Sequence, residues 1–325
     1  MALWSRRSAL AAGLGLVALP LRTEAAPGPL SERVELTVGF SKSAHHAPLI
    51  GVPDMLRPLG VDIKFVEFIR YADARTAIAS GSLDIATVAP GDILVMLSQG
   101  VTTVKAITGA GSSDKFVMAK DPATITSWDA LKGKRLGIPA GSAIWAQYAA
   151  ATTENKFPYD APKNVNIQGG GPNFIQALQR GDVDAVLSWQ PFESTMIVDK
   201  VAQPTTLEYG HSKAVGSELG MFAATTTALT KKRDAVNRFF WAYKTVEAKL
   251  KTDPAAFADA VVQYSSVTRP IAESIVSFVK LGGVVDAAQL QRQAKFFHDM
   301  GILQVDVSNK VADFWDDGPV RDPQA

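Results

Sequence analysis

Two stretches of the chain, one hundred positions apart, carry the same succession of residue types. Ala77–Pro90 reads AIASGSLDIATVAP, and Ala177–Pro191 reads ALQRGDVDAVLSWQP. Each ends a helix and turns through Gly-x-x-Asp (Gly81 and Asp84, then Gly181 and Asp184). Each then runs a short apolar strand and opens the next helix with proline. Glycine suits the left-handed residue that stops a helix, and proline is tolerated in a helix's first turn. The echo points to two α/β lobes of related design, although such units also recur within single α/β domains.

The rest of the pattern is compatible with two lobes. Val34, Leu36 and Val38 alternate, as do Val61, Ile63 and Phe65, and Ile85–Ala89 reads as a buried strand. Gly39–Pro48 reads as a loop and Ala72–Ser80 as a helix. A short capped helix at Ser127–Gly133, a strand at Arg135–Pro139 and a loop at Ala140–Ser142 begin a second unit. After a short strand at Met221–Ala224, Thr230 is placed as the cap of a long helix, Lys231–Lys251. The aromatics Phe239, Phe240, Trp241 and Tyr243 within it read as packing residues. The helices Pro254–Tyr264, Pro270–Leu281 and Ala287–Met300 follow without strands of their own, so they must cover an existing sheet. The resulting expectation is a discontinuous first lobe, residues 34–118 and 225–315, around a second lobe, residues 119–224. Each lobe is a mixed, mainly parallel sheet flanked by helices, and two crossing strands form the hinge.

The N-terminus reads as an address. Arg6 and Arg7 precede the apolar run Ser8–Leu21, which is shorter than the ~20 residues a membrane helix needs. Thr23 and Ala25 fit the small-x-small rule for cleavage after Ala25, making residues 1–25 a signal peptide and the mature protein an exported, periplasmic one. Ser5–Leu10 resembles a twin-arginine signal, but Ala9 stands where such signals usually carry Phe, which leaves the general secretory route open. In 325 residues of formal charge +1 there is no basic run, so nucleic acid is not an expected partner. With no cysteine, disulfides, thiolate metal sites, cysteine nucleophiles and a lipidated cysteine anchor are excluded. No dinucleotide fingerprint, phosphate loop, zinc-protease motif or nucleophile elbow is present, and neither a cofactor nor a metal is expected.

In open α/β sheets ligands bind beyond the carboxyl ends of strands, where backbone N–H groups and helix starts favour anions. Four such turns are available: Ser41–Pro48, Pro90–Asp92, Gly141–Ser142 and Trp189–Pro191. Ser43, His45 and His46 can donate hydrogen bonds to an oxyanion or merely cap a loop. Arg70 and Tyr71 follow the second strand, Arg70 either meeting an anion or sitting on a solvated face. Asp92 either complements the helix dipole or grips a ligand amine. Trp189, at the place matching Ala89, stacks on a ligand or fills a core.

Four segments together carry a family resemblance: AIASGSLDIA, SWDALKGKRLGIPAGS, ALQRGDVDAVLSWQPF and the helix after TTTALTKKRDAV. They span most of Val34–Met300. In this order they resemble periplasmic binding proteins of the nitrate/sulfonate/taurine type, whose relatives also bind thiamine-precursor pyrimidines. The resemblance implies a type II, two-lobed binding protein that is no enzyme and works as a monomer. It would capture a small organic oxyanion for a membrane permease and a cytoplasmic ATPase. It implies an anion loop at Gly141 and Ser142, where Ala143 replaces the expected hydroxyl residue and puts a plain sulfonate or nitrate in doubt. Trp145 stands where many relatives carry smaller or polar residues, and Glu218 where an acid faces a ligand amine. Trp145, Trp189 and Glu218 keep an aromatic acid or a pyrimidine open as alternative cargo. Two rival readings are a thiamine-pyrimidine synthase, opposed by the export signal, and a periplasmic sensor presenting its ligand to a membrane receptor.

Overall fold

The computed structural model describes residues 26–283 and 285–321; the expected signal peptide lies outside them. Two sheets organise the chain. The first has six strands in the order Val279–Leu281, Val104–Ser113, Glu218–Thr225, Ile85–Val88, Val34–Phe40, Val61–Glu67. The second has five, in the order Lys163–Asn166, Arg135–Ile138, Ala185–Val186, Phe116–Ala119, Gln203–Glu208. In each, three strands run parallel and an antiparallel strand adjoins the strand of the duplicated unit. This is the type II periplasmic binding protein fold, α/β with mixed sheets.

The echo in the sequence becomes the same construction twice. The Asp84 carboxylate accepts the Thr37 N–H at 2.8 Å, and the Asp184 carboxylate accepts the Arg135 N–H at 2.8 Å. Each therefore fastens the duplicated strand to its parallel neighbour, and Gly81 and Gly181 supply the left-handed turns, at φ 79° and 75°. Each sheet is covered on both faces. Along Glu218–Thr225, Phe222 and Ala224 enter the apolar cluster beneath the helix Arg233–Thr252, while Met221 and Ala223 enter the one beneath Ala287–Asp299. That two-residue alternation is what a strand requires.

Several expectations shift. The strand Phe116–Ala119 belongs to the second sheet and Glu218–Thr225 to the first, so the chain crosses at 114–115 and 209–217 rather than after 118 and 224. The late region does own a strand: Val279–Leu281 pairs with Val104–Ser113, ending the preceding helix at Phe278. Ala44–Gly51 is 3-10 helix rather than loop. Thr225, not Thr230, caps: its hydroxyl accepts the Ala228 N–H to start Thr226–Lys231, and the long helix begins only at Arg233. Phe239, Phe240 and Tyr243 are fully buried in it, as packing residues should be.

Candidate functional site

The two lobes face each other across a cavity of about 210 Å³ whose wall is built from the strand-end turns of both sheets. Ser43, His45, Tyr71 and Asp92 line it from the first lobe, and Ser142, Trp145 and Trp189 from the second. Outside it, the lobes are tied by helix Ala143–Glu154, whose Ala146 and Ala150 enter an apolar cluster of the first lobe. On the opposite side, Ser274 Oγ lies 3.0 Å from Ser194 Oγ.

On the first wall, Tyr71 Oη lies 2.8 Å from the Nε2 of both His45 and His46. A phenol has one proton, so it donates to one imidazole and accepts from the other. Burial, reinforced by the Lys115 charge, lowers the His45 pKa to about 3; burial and His45 lower that of His46 well below its usual value. Burial raises the Tyr71 pKa. The trio is therefore a neutral hydrogen-bonded unit at ordinary pH. Gly220 lies against it: a Cβ there would sit 2.5 Å from His45 Nε2 and 2.8 Å from Tyr71 Oη, so only glycine allows the approach.

Beside this trio is a cation. Arg75 reaches the wall one helical turn after Tyr71, and its Nη1 donates to Asp92 Oδ1 at 2.8 Å. Asp92 Oδ2 accepts the Ala89 N–H at 2.9 Å, closing the first turn of helix Pro90–Ser98. Burial raises the Asp92 pKa against the pull of Arg75. Asp92 thus holds the guanidinium in place, and both of its oxygens are engaged. Arg70 also lines the cavity, at its exposed rim, where it pairs with Asp73 at 2.8 Å.

The second wall has no charged side chain among the described residues: its aromatic and apolar residues alternate with Ser142, Asn166, Gln168 and Gln190. Gly141, at φ 80°, turns the chain so that Ser142 Oγ accepts the Trp145 N–H at 3.2 Å and starts helix Ala143–Glu154 at the cavity. Trp145 donates its indole N–H to Tyr159 Oη at 2.6 Å and packs on apolar clusters of both lobes. Trp189 stands edge-on to Phe174 and Phe192, with ring centroids 5.6 Å and 5.4 Å away.

Two expected residues lie off the wall. His46 is fully buried behind Tyr71. Glu218 follows the return crossing rather than preceding it, and its carboxylate accepts the Gly111 N–H at 2.6 Å beside Gly109 and Gly283. Strand alternation turns the next residue, Leu219, to the cavity instead. Arg75 escaped the sequence reading, although its spacing from Tyr71 on one helix was the available signal. Asn166–Gly169, after the strand Lys163–Asn166, and Phe297 and Ile302 also line the cavity and were not anticipated.

Among the described residues no helix is long and apolar enough to cross a membrane. The chain is 28% identical to the taurine-binding periplasmic protein of Escherichia coli over 190 residues, 58% of this chain and 55% of that protein. It thus spans about half the length of that curated relative. Among solved structures it resembles the alkanesulfonate-binding protein SsuA of Xanthomonas axonopodis bound to MOPS, with TM-score 0.69 and 18% identity over 86% of this chain and 98% of that one. It also resembles the nitrate-binding protein NrtA of Synechocystis, with TM-score 0.73 and 13% identity over 92% and 89%. The family model described as NMT1/THI5 like matches residues 57–257, more than half of the chain and both sides of the cavity. This protein belongs to the NMT1/THI5-like family.

Proposed function

We propose that this chain is the solute-capturing component of an ABC importer, closing around a small organic oxyanion and delivering it to a membrane permease driven by an ATPase. Arg75 carries the reading. It is the more buried of the two arginines on the cavity wall, with one guanidinium nitrogen on Asp92 and the others without a protein acceptor among the described residues. The start of helix Ala143–Glu154 adds oriented N–H groups from the other lobe, where the helix dipole favours negative charge. Ser43 and His45 add polar side chains on the first wall, Tyr71 holds the His45 ring, and Ser142 sets the helix start. A ligand touching both walls stabilises the closed arrangement of the lobes by its own binding free energy. Relatives named for taurine, alkanesulfonate and nitrate agree with an oxyanion cargo.

Isothermal titration of the purified protein with ethanesulfonate, nitrate, acetate and benzenesulfonate tests this. At least one anion should bind, and Arg75→Met should weaken it by about 1.5–3 kcal/mol, the usual value of a charge-assisted hydrogen bond. Binding that is unaffected by Arg75→Met in a folded variant removes Arg75 from the site. Failure of the wild type to bind any oxyanion removes the proposal.

A further inference from the structure

We infer that the cavity is built for an oxyanion carried on a planar aromatic body, an arenesulfonate or arenecarboxylate, and not for a zwitterion such as taurine. This rests on the oxyanion reading above and narrows it.

Three observations converge. First, the wall offers no counter-charge to a ligand amine. Asp92 is the only carboxylate on it among the described residues, with one oxygen on Arg75 at 2.8 Å and the other on the Ala89 N–H at 2.9 Å. Glu218 is off the wall among glycines, and Glu193 is buried against Lys115 at 2.9 Å. An ammonium group would lose its hydration without gaining an anion. Second, formal charge is one-sided. Arg70, Arg75 and Asp92 stand on the first lobe, whereas the second lobe's wall has no charged side chain among the described residues and sets Ile144, Trp145 and Ile167 beside the neutral Ser142 and Gln168. A ligand that meets both walls places its acidic end on the first lobe and an uncharged end on the second.

Third, the two tryptophans differ in what they leave free. The Trp145 N–H is taken by Tyr159, so that ring presents only apolar and π surface to a ligand. Trp189 makes ring contacts with Phe174 and Phe192, which hold its plane, while its indole N–H has no hydrogen-bond partner among the described residues. Rigid indoles beside a helix start suit a flat ring more than a short flexible chain, because aromatic pairs gain from offset or edge-on geometry.

The test is a titration of the purified protein with benzenesulfonate, benzoate, ethanesulfonate and taurine. The expected result is that an arene anion binds at least about tenfold more tightly than ethanesulfonate, with taurine weakest. Trp145→Leu should bring the arene-to-ethanesulfonate ratio towards one, and Trp145→Phe, which keeps a ring, should retain most of it; circular dichroism confirms folding of each. Taurine or ethanesulfonate binding as tightly as both arene anions overturns the inference and leaves the oxyanion reading standing. A ratio unchanged in folded Trp145→Leu overturns the role given to that ring. If none of the four compounds binds, the inference falls, and the oxyanion reading falls with it when nitrate and acetate also fail to bind.

Discussion

The duplicated turns place an acid at the same point and use it for opposite ends. Asp92 and Glu193 each stand two residues after the proline that follows the repeated strand, and each meets a basic side chain, Arg75 at 2.8 Å and Lys115 at 2.9 Å. Arg75 keeps 24% of its side-chain surface accessible at the cavity, whereas Lys115 keeps none. Lys115 lies in the first crossing segment, and its carbonyl accepts the N–H of Tyr209 from the second at 2.9 Å. The first pair therefore presents a cation to the cavity, and the second is sealed where the lobes join. A repeated backbone fixes where charges can be placed; exposure decides whether they recognise a ligand or hold the frame.

Lys115→Met gives the sharpest break between the two pairs. It leaves Glu193 buried and unpaired, and breaking a buried pair in this way costs about 3–5 kcal/mol. Urea unfolding monitored by circular dichroism measures it. The double variant Lys115→Met/Glu193→Leu should recover most of the loss, because a well-packed apolar pair avoids desolvation. Arg75→Met should cost less stability, about 1–2 kcal/mol, since its pair is partly solvated, while taking the larger toll on ligand affinity. Equal stability losses would mean that the two pairs are not divided between binding and framework.

The two aspartates of the repeat set up a smaller contrast. Asp84 also pairs with Lys232 at 2.8 Å and its side chain is 15% exposed, whereas Asp184 pairs with Arg135 at 2.6 Å and is 36% exposed. Both hold the neighbouring strand's N–H. Asp84→Ala should cost about 2 kcal/mol and Asp184→Ala about 1 kcal/mol, because water replaces the lost bonds more readily at the exposed site. Equal costs in denaturant unfolding would show that solvent access does not set the difference.

The features legible in the sequence were those written in local chemistry. Gly81 and Gly181 announce left-handed turns, the prolines announce helix starts, and the strand-end rule brings Ser43, Tyr71, Ser142 and Trp189 to one cavity. What escaped depends on long-range geometry. Arg75 becomes a wall residue only because Asp92, 17 positions on, fixes its guanidinium. Glu218 is removed by strand alternation and by the room that Gly109 and Gly283 leave for its carboxylate. The crossings were misplaced because Phe116–Ala119 and Glu218–Thr225 are apolar enough for either sheet, and only their pairing partners decide. Thr230 looked like a cap because nothing local separates it from Thr225, which has the free Ala228 N–H in reach.

Acidification separates the cavity side from the hinge side most gently. His45 and His46 are neutral in the folded protein, with the His45 pKa at about 3 against 6.5 for a free imidazole. The unfolded chain therefore binds more protons as pH falls below 6.5, and stability drops towards pH 3 by up to about 1.4 kcal/mol per pH unit for each histidine. Glu193 acts in the opposite sense. Burial, opposed by Lys115, raises its pKa to about 7 from 4.5, so its contribution is fullest below pH 4.5 and is lost as pH rises through 7. Between pH 4.5 and 6.5 the two oppose each other, and the stability of the wild type should be flatter there than below pH 4.5. Glu193→Gln should steepen that interval and His45→Gln should flatten the acid limb, as read by urea unfolding from pH 4 to 7.5. An acid limb unchanged by His45→Gln would mean that the imidazole beside Tyr71 is already protonated in the folded protein, and with it the cavity wall would carry a cation besides its arginines.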